Sequence, residues 1–191
     1  MKLGIVSDLH CNDRGLLKAL EVMGDVERLL CLGDSIWEYR FSNEVVRILR
    51  EREALTILGN HEEGFFSEHG GRARAAPSID QKLLSWLAER PLRRELQVAG
   101  KTLLMVHSTP WEPRGAYVFP HSPLLDRFVE SGADFVLYGH THAPLLRRVG
   151  KTLVINPGSA GDPRNGYLLS CAVLDTETEE AEILDFPDLR E

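Results

Sequence analysis

Short apolar runs recur along the chain, and each of them ends abruptly in small or polar residues. The runs are KLGIVSD at 2–8, RLLCLGD at 28–34, ALTILGN at 54–60, TLLMVHS at 102–108 and DFVLYGH at 134–140. They are rich in Ile, Val and Leu, and such near-continuous apolar segments are typical of strands that are covered on both faces. The pattern therefore predicts a buried sheet whose strands end at polar turns.

Helical spacing of apolar residues separates the first three runs. Apolar residues at 16, 17, 20 and 23 predict one helix, and those at 45, 46 and 49 predict another. Ser42 and Asn43 precede the second helix as N-cap candidates. This alternation of strand and helix predicts right-handed crossovers in a largely parallel layer.

The second half of the chain has a different pattern. Helices are predicted over 78–88 and 123–130, and the Gly- and Arg-rich segment 70–77 predicts a mobile surface loop. Alternating segments predict three hairpins, with turns at 99–100, 150–151 and 176–178. An α/β first half that runs into antiparallel strands indicates a mixed sheet packed on a second sheet.

Composition narrows the function classes. The 191 residues suffice for one substantial core, so a single domain over 1–191 is expected. With 29 Asp and Glu against 22 Lys and Arg, the net charge of −7 has the wrong sign for attracting nucleic acid or an anionic membrane.

No apolar segment approaches the roughly 20 residues of a membrane span, and MKLGIVSD has no signal-peptide core, so a cytoplasmic protein is expected. Cys11, Cys31 and Cys171 lack paired spacing and are expected to be reduced thiols.

Polar side chains with metal-binding chemistry follow the apolar runs. They are Asp8 and His10 after the first run, Asp34 after the second, Asn60 and His61 after the third, His107 after the fourth, and His140 and His142 after the fifth. Open α/β sheets bind ligands in the crevice beyond the carboxyl ends of their strands, so these side chains are expected to converge. Carboxylates, an amide and imidazoles together suit Mn²⁺, Fe, Zn²⁺ or Co²⁺ rather than Ca²⁺. So many ligands favour two cations, which can hold the oxygens of a phosphoryl group during in-line displacement.

The motifs SDLH, LGD, LGNHE, VHS and YGHTH, in this order and at strand ends, resemble those of the calcineurin-like metallophosphoesterases. They span 8–142, and NPGSAGDPRNG at 156–166 is similar to a segment of the family's small phosphodiesterase branch that leads into the closing hairpin. The resemblance implies a metallo-dependent phosphatase-like α/β fold, a four-layer α-β-β-α sandwich of two mixed sheets. It also implies a binuclear metal centre, with Mn²⁺ expected first and Fe, Zn²⁺, Ni²⁺ or Co²⁺ as alternatives.

The same resemblance implies a role for each polar residue at the strand ends. It implies that Asp8, His10, Asp34 and His142 bind one metal ion. It implies that Asp34, Asn60, His107 and His140 bind the second. Asp34 then bridges the two ions, and a hydroxide held between them attacks phosphorus. His61 is the catalytic histidine that binds no metal and that protonates the leaving oxygen or stabilises its charge.

Several residues near the motifs leave alternatives open. Cys11 stands where the small branch often has Gly, and it is expected to fill space rather than to bind metal. GDSIWEYR lacks the Asp-Arg pair that protein serine/threonine phosphatases carry after the bridging Asp, which argues against phosphoprotein substrates and leaves His61 without its usual aspartate partner. Glu62 fits an orienting role and an acidic first helical turn equally well.

The loops expected at the rim of the crevice carry arginines and aromatic residues. A guanidinium matches phosphate geometry, but an arginine on a solvated face is the commoner case. The rim aromatics fit stacking on a base or aryl group, although packing of one loop on another is favoured. The arginines are Arg40, Arg114 and Arg164, and the aromatics are Phe65, Phe66, Trp111, Tyr117 and Phe119.

The sequence thus predicts a dimetal hydrolase of phosphoric ester bonds that acts on small phosphodiesters and on some phosphomonoesters. The alternatives are a scaffold of the same fold that binds a protein partner without turnover, and a nucleotide or phosphoprotein phosphatase. A scaffold has no need to keep seven costly polar side chains in one crevice. A recombination-repair nuclease is disfavoured because the chain has no room for a capping domain and its acidity disfavours DNA. The motifs specify no oligomeric state.

Overall fold

The computed structural model describes residues 1–188, so the last three residues of the domain expected over 1–191 lie outside the described residues. The strands are β1 Lys2–Val6, β2 Arg28–Cys31, β3 Leu55–Thr56, β4 Arg93–Val98, β5 Lys101–Val106, β6 Phe135–Leu137, β7 Leu145–Val149, β8 Thr152–Asn156, β9 Leu169–Asp175 and β10 Glu180–Phe186. The helices are α1 Asp13–Met23, α2 Asn43–Glu51, α3 Asn60–Phe66, α4 Gly71–Arg74, α5 Gln81–Ala88 and a 3₁₀ helix over Pro123–Ser131. None of the helices in residues 1–188 combines the length and the apolar character that crossing a bilayer requires.

The strands form two five-stranded mixed sheets. The first has the order β10-β9-β1-β2-β3, in which β1, β2 and β3 are parallel and β9 is antiparallel to both of its neighbours. The second has the order β4-β5-β6-β8-β7, in which β5, β6 and β8 are parallel and the edge strands are antiparallel. The predicted α/β class with two mixed sheets is confirmed, as are the three hairpins.

Three apolar clusters join four layers. Ile5 and Leu30 of the first sheet pack with Phe135 of the second in a core between the sheets. Leu16 of α1 belongs to a cluster that covers the outer face of the first sheet, together with side chains of α2. Phe128 of the 3₁₀ helix belongs to the cluster on the outer face of the second sheet. The order helix, sheet, sheet, helix is the predicted α-β-β-α sandwich.

Polar caps begin the helices that support the first sheet. The Asn12 side chain accepts a hydrogen bond from the backbone N–H of Gly15 at 2.9 Å, where α1 starts. Ser42 accepts one from the N–H of Val45 at 3.2 Å, as its predicted N-cap role requires. Asp80 caps α5, which therefore begins three residues later than the predicted helix over 78–88.

Two segments differ from the sequence prediction. Segment 70–77, predicted as a mobile loop, contains helix α4, and the Arg74 guanidinium donates to the carbonyl oxygens of Phe65 and Ser67. The third apolar run contributes only the two residues of β3 to the sheet, because the chain then leaves the sheet and enters α3. The helix predicted over 123–130 is present, with the tighter 3₁₀ geometry.

Candidate metal centre

The carboxyl ends of strands from both sheets meet at one crevice, and the polar residues predicted from the sequence lie there. Three overlapping groups have ligand atoms within 4.8 Å of one another: Asp8, His10 and His142; His10, Asp34 and His61; and Asp34, His107 and His140. Asn60 adjoins the third group, because its Oδ1 lies 3.0 Å from His107 Nε2. The structure therefore brings all eight predicted site residues together.

The group around Asp8 has the donors of a cation site. His142 Nε2 lies 3.3 Å from Asp8 Oδ1 and 3.1 Å from His10 Nε2. Asp8 Oδ1 is buried and accepts no hydrogen bond within residues 1–188. A buried carboxylate oxygen without a partner is costly, and a divalent cation would satisfy it together with the two imidazole nitrogens. These residues fit a metal ion.

Asp34 lies between the other two groups and belongs to both of them. Its Oδ2 is 3.2 Å from His107 Nε2 and 3.9 Å from His61 Nε2. Its Oδ1 accepts a hydrogen bond from the backbone N–H of His61 at 2.9 Å. One carboxylate therefore lies within reach of the imidazoles of both groups.

Hydrogen bonds to carbonyl oxygens orient three of the imidazoles. His107 Nδ1 lies 2.8 Å from the Leu32 carbonyl oxygen and donates to it, and Nε2 becomes a free lone pair once its proton is lost. His142 Nδ1 contacts the Asp162 carbonyl oxygen, so a neutral ring donates there and leaves Nε2 as the free lone pair. His140 has the reverse orientation, with Nε2 3.3 Å from the Gly115 carbonyl oxygen and Nδ1 left free. Such partners fix both the tautomer and the ring orientation of a metal-binding histidine.

His61 has a tautomer that suits hydrogen-bond donation rather than metal binding. Its Nδ1 accepts a hydrogen bond from the backbone N–H of Glu38 at 3.2 Å, so the neutral ring carries its proton on Nε2. The side chain is 21% exposed, which leaves it accessible from the crevice. A ring that presents N–H can donate to a substrate oxygen, whereas binding a cation at Nε2 would require a free lone pair there. The backbone amide of Glu38 thus contacts His61, which lacks the aspartate partner usual in the protein serine/threonine phosphatases.

Burial and neighbouring charges shift the imidazole pKa values in opposite directions. Burial lowers the pKa of His10 to about 4, and burial together with the charge of His107 lowers the pKa of His140 to about 4. Burial also acts to lower the pKa of His107, but the Asp34 carboxylate beside it raises that pKa well above its ordinary value. His10 and His140 are therefore neutral at pH 7, whereas His107 carries a proton that a cation has to displace.

Glu62 supports the loop that carries Asp34. Its fully buried carboxylate accepts hydrogen bonds from the N–H groups of Asp34 at 2.8 Å, Ser35 at 2.7 Å, Ile36 at 3.2 Å and Gly59 at 2.8 Å. Burial raises the pKa of Glu62, and the donors of Ser35 and Gly59 act against that shift. Glu62 thus combines the two roles that the sequence left open, since it lies in the first turn of α3 and also orients the Asp34 backbone.

The backbone at the site is strained. The residues with positive φ include Asp8 at 53°, His10 at 46°, Asp34 at 51°, His140 at 67° and His142 at 55°. Residues with a side chain rarely adopt this left-handed conformation, which costs on the order of 1 kcal/mol each and concentrates at functional sites. Sequence motifs located these residues but carried no signal for their backbone conformation.

The arginines considered as phosphate clamps differ in their surroundings. Arg114 pairs with Glu63 at 3.2 Å and with Glu112 at 3.5 Å. Arg164 pairs with Asp162 at 2.7 Å. Arg40 lines a cavity beside His10. Two of the three guanidinium groups are therefore engaged by carboxylates of the same chain.

Most rim aromatics pack against other side chains, as favoured from the sequence. Phe65 is fully buried and contacts Phe66 edge-on at 5.4 Å between ring centroids, and Trp111 packs on Phe128 at 5.1 Å. Tyr117 stacks at 4.0 Å on the ring of His140 and remains 54% exposed. Sequence reasoning missed this contact with a site histidine, because nothing in the chain order places the two rings together.

Cys11 fills space beside the centre, as expected from the sequence. Its thiol is buried and donates a hydrogen bond to the Arg40 carbonyl oxygen at 3.2 Å. Burial raises the pKa of this thiol to about 11, so it is protonated at neutral pH and is a poor metal ligand.

Buried Asp and His side chains together with the exposed Asn60, at the strand ends of a four-layer α/β sandwich, are typical of metal-dependent phosphoester hydrolases. Residues 1–179 match the family model of the calcineurin-like phosphoesterase superfamily domain. The chain therefore belongs to that superfamily, which confirms the resemblance seen in the motifs, and it is a hydrolase of phosphoric ester bonds.

Individual relatives agree with this membership. The phosphodiesterase MJ0936 of Methanocaldococcus jannaschii is 28% identical over 94% of this chain and 96% of its own length. The protein MJ0912 of the same organism is 29% identical over 86% of this chain and 78% of its own. A metallophosphoesterase from Sphaerobacter thermophilus superposes with a TM-score of 0.78 at 23% identity, covering 97% of this chain and 88% of that one, and shows the same fold.

Proposed function

We propose that the protein is a single-domain enzyme that hydrolyses small phosphodiesters, and some phosphomonoesters, at a centre of two divalent cations. The observation that carries the proposal is the set of three overlapping Asp and His groups, of which the first two share His10 and the last two share Asp34. One cation is held by Asp8, His10, Asp34 and His142, and the other by Asp34, Asn60, His107 and His140. Two such cations supply Lewis acidity to a phosphoryl oxygen and bring the pKa of coordinated water towards neutrality.

His61 is the proposed catalytic residue. Its Nδ1 bond to the Glu38 amide supports a neutral ring with its proton on Nε2, near Asp34 and open to the crevice. From there the ring N–H donates a hydrogen bond that stabilises the negative charge developing on the ester oxygen that leaves. Because the ring binds no cation, its Nε2–H stays free to make this hydrogen bond.

Two cavities support a diester as the substrate. One of about 310 Å³ adjoins Asn60 and His107 and extends to the apolar side chain of Leu92. Another of about 310 Å³ adjoins His10 and includes Arg40. A phosphodiester carries two organic groups on one phosphorus, and each cavity has room for one of them beside one proposed cation.

The donor set also supports the choice of metal. Carboxylate, amide and imidazole donors suit Mn²⁺, with Fe, Zn²⁺, Ni²⁺ and Co²⁺ as alternatives.

Cys11, Cys31 and Cys171 are buried free thiols, which supports a reducing, cytoplasmic location.

Hydrolysis by metal-stripped protein reloaded with Mn²⁺, Ni²⁺, Zn²⁺ or Mg²⁺ tests the proposal. Bis-p-nitrophenyl phosphate and p-nitrophenyl phosphate serve as diester and monoester. We expect metal-dependent release with a higher kcat/KM for the diester, and no release from the Asp34→Asn variant. Two bound metal ions without any turnover would contradict the enzyme and favour the scaffold.

The His61→Ala variant tests the separate role of this histidine. It should keep both metal ions and lose about 10²- to 10⁴-fold in kcat, most for substrates with poor leaving groups. Metal content measured on the same sample is the control. Loss of metal in this variant would show that His61 is a ligand.

A further inference from the structure

His10 differs from the other imidazoles of the centre in what holds its ring. His107, His140 and His142 each contact a backbone carbonyl oxygen through one ring nitrogen. His10 Nδ1 is buried, and no residue in 1–188 hydrogen-bonds to it. Metal-binding histidines almost always have such a partner, which sets the ring orientation. Something other than a hydrogen bond must therefore orient His10.

Trp37 contacts the face of the His10 ring. Its indole ring stacks on the His10 ring with 4.0 Å between centroids and an interplanar angle of 29°. It also meets His61 edge-on, with 5.0 Å between centroids at 85°. Both contacts come from one half-buried side chain in the segment that departs from the phosphatase pattern. Stacking with offset rings is a specific geometry and restricts rotation of the smaller ring.

Backbone hydrogen bonds and close packing hold the turn that carries the Trp37 indole. Trp37 and Arg40 exchange two backbone hydrogen bonds, of 3.0 Å and 3.1 Å, across a tight turn. The Cys11 thiol donates to the Arg40 carbonyl oxygen on one side of that turn. On the other side, the turn lies close against Gly64 of α3, where an added Cβ would come within 2.7 Å of Glu38 Cγ.

We propose that Trp37 is a positioning residue that fixes the His10 ring by stacking, in place of the missing hydrogen bond, and thereby sets the affinity of the cation held by Asp8, His10, Asp34 and His142. The inference rests on the proposed function, because it assumes that His10 binds a cation. Trp37 itself offers no ligand atom and acts only through His10.

Calorimetric titration of the metal-free protein with Mn²⁺ tests the proposal on three variants. Trp37→Leu removes the aromatic face, and we expect it to weaken one of the two sites about 10-fold or more. Trp37→Phe keeps a ring that stacks, and both affinities should stay within about threefold of those of the parent. Trp111→Leu is the matched control, because Trp111 packs on Phe128 and contacts no proposed ligand, and it should leave both sites unchanged.

Proton NMR of the metal-free parent protein provides a test that needs no leucine variant to fold. The indole ring current should shift the His10 ring protons upfield, and the shift should disappear in Trp37→Leu wherever that variant folds. Unshifted His10 resonances in the parent would overturn the stack. A parent that binds two Mn²⁺ and a Trp37→Leu variant that binds them equally well would overturn this inference alone. A parent that binds no Mn²⁺ would overturn it together with the proposed function.

Discussion

At His107, a proton and a metal ion compete for the same nitrogen. Nε2 lies 3.2 Å from the Asp34 carboxylate, while Nδ1 is engaged by the Leu32 carbonyl oxygen. The carboxylate outweighs burial and raises the pKa of His107, so the metal-free protein holds an imidazolium there at neutral pH. A cation that binds at Nε2 therefore has to replace this proton.

Binding of Mn²⁺ at pH 7 should release about one proton per protein molecule from His107. His10 and His140 should release none, because their pKa values of about 4 leave them neutral. The raised pKa gives the sign of the effect: apparent Mn²⁺ affinity rises with pH until the pH exceeds the His107 pKa. Calorimetry in two buffers with different ionisation enthalpies measures the release. His107→Asn should release about one proton fewer than the parent, and an equal release from this variant would contradict the assignment.

The residues at the centre were predictable because strand ends converge in an α/β sheet, so chain order was enough to find Asp8, Asp34 and His107. The stacks of Trp37 on His10 and of Tyr117 on His140 were not predictable. Each depends on the path of a loop that carries no periodic pattern. For Glu62 the motif fitted an acidic helical turn and an orienting role equally well, and the hydrogen bonds show that both apply.

At the scale of elements, the turn after β6 shows why a strand ends on glycine before two histidines. A Cβ on Gly139 would lie 1.9 Å from Ser7 Oγ and 2.7 Å from Asp8 Oδ2, so the turns after β1 and β6 can meet only without a side chain. The close approach allows the backbone N–H of His140 to donate to Asp8 Oδ2 at 3.0 Å. The glycine therefore joins the two halves of the centre.

Gly139→Ala should destabilise the metal-free protein by about 1–3 kcal/mol, because the added methyl group overpacks this contact. It should also weaken Mn²⁺ binding, since the Asp8 carboxylate has to move. Gly71→Ala is the matched control, because the nearest atom to its added Cβ is Arg74 Nη2 at 3.9 Å. Urea unfolding and Mn²⁺ titration of both variants check the prediction, and equal stabilities would refute it.

Elements with a strong repeating pattern were predictable, whereas those held by tertiary contacts were not. The hairpins at 99–100 and 150–151 follow from alternating strands around a glycine, and they are confirmed. Helix α4 has four residues and no apolar repeat, and Arg74 holds it through carbonyl oxygens of the preceding segment. The apolar run at 54–60 indicated a strand but not the point at which the backbone leaves the sheet for α3.

For the whole molecule, the division of the site between the sheets is the main consequence of the fold. The crossovers of the first sheet deliver Asp8, His10, Asp34 and Asn60, and the second sheet delivers His107, His140 and His142. The apolar core between the sheets fixes their separation, and hence the distances between ligands that are far apart in sequence. Bound cations would therefore join the two sheets at their carboxyl ends.

Anomalous diffraction from crystals grown with Mn²⁺ tests the central claim most directly. We expect two anomalous peaks about 3.5–4 Å apart, with Asp34 contacting both and with His61 outside either coordination shell. A single peak, or a peak that His61 coordinates, would contradict the dimetal centre and the role of His61 in the reaction.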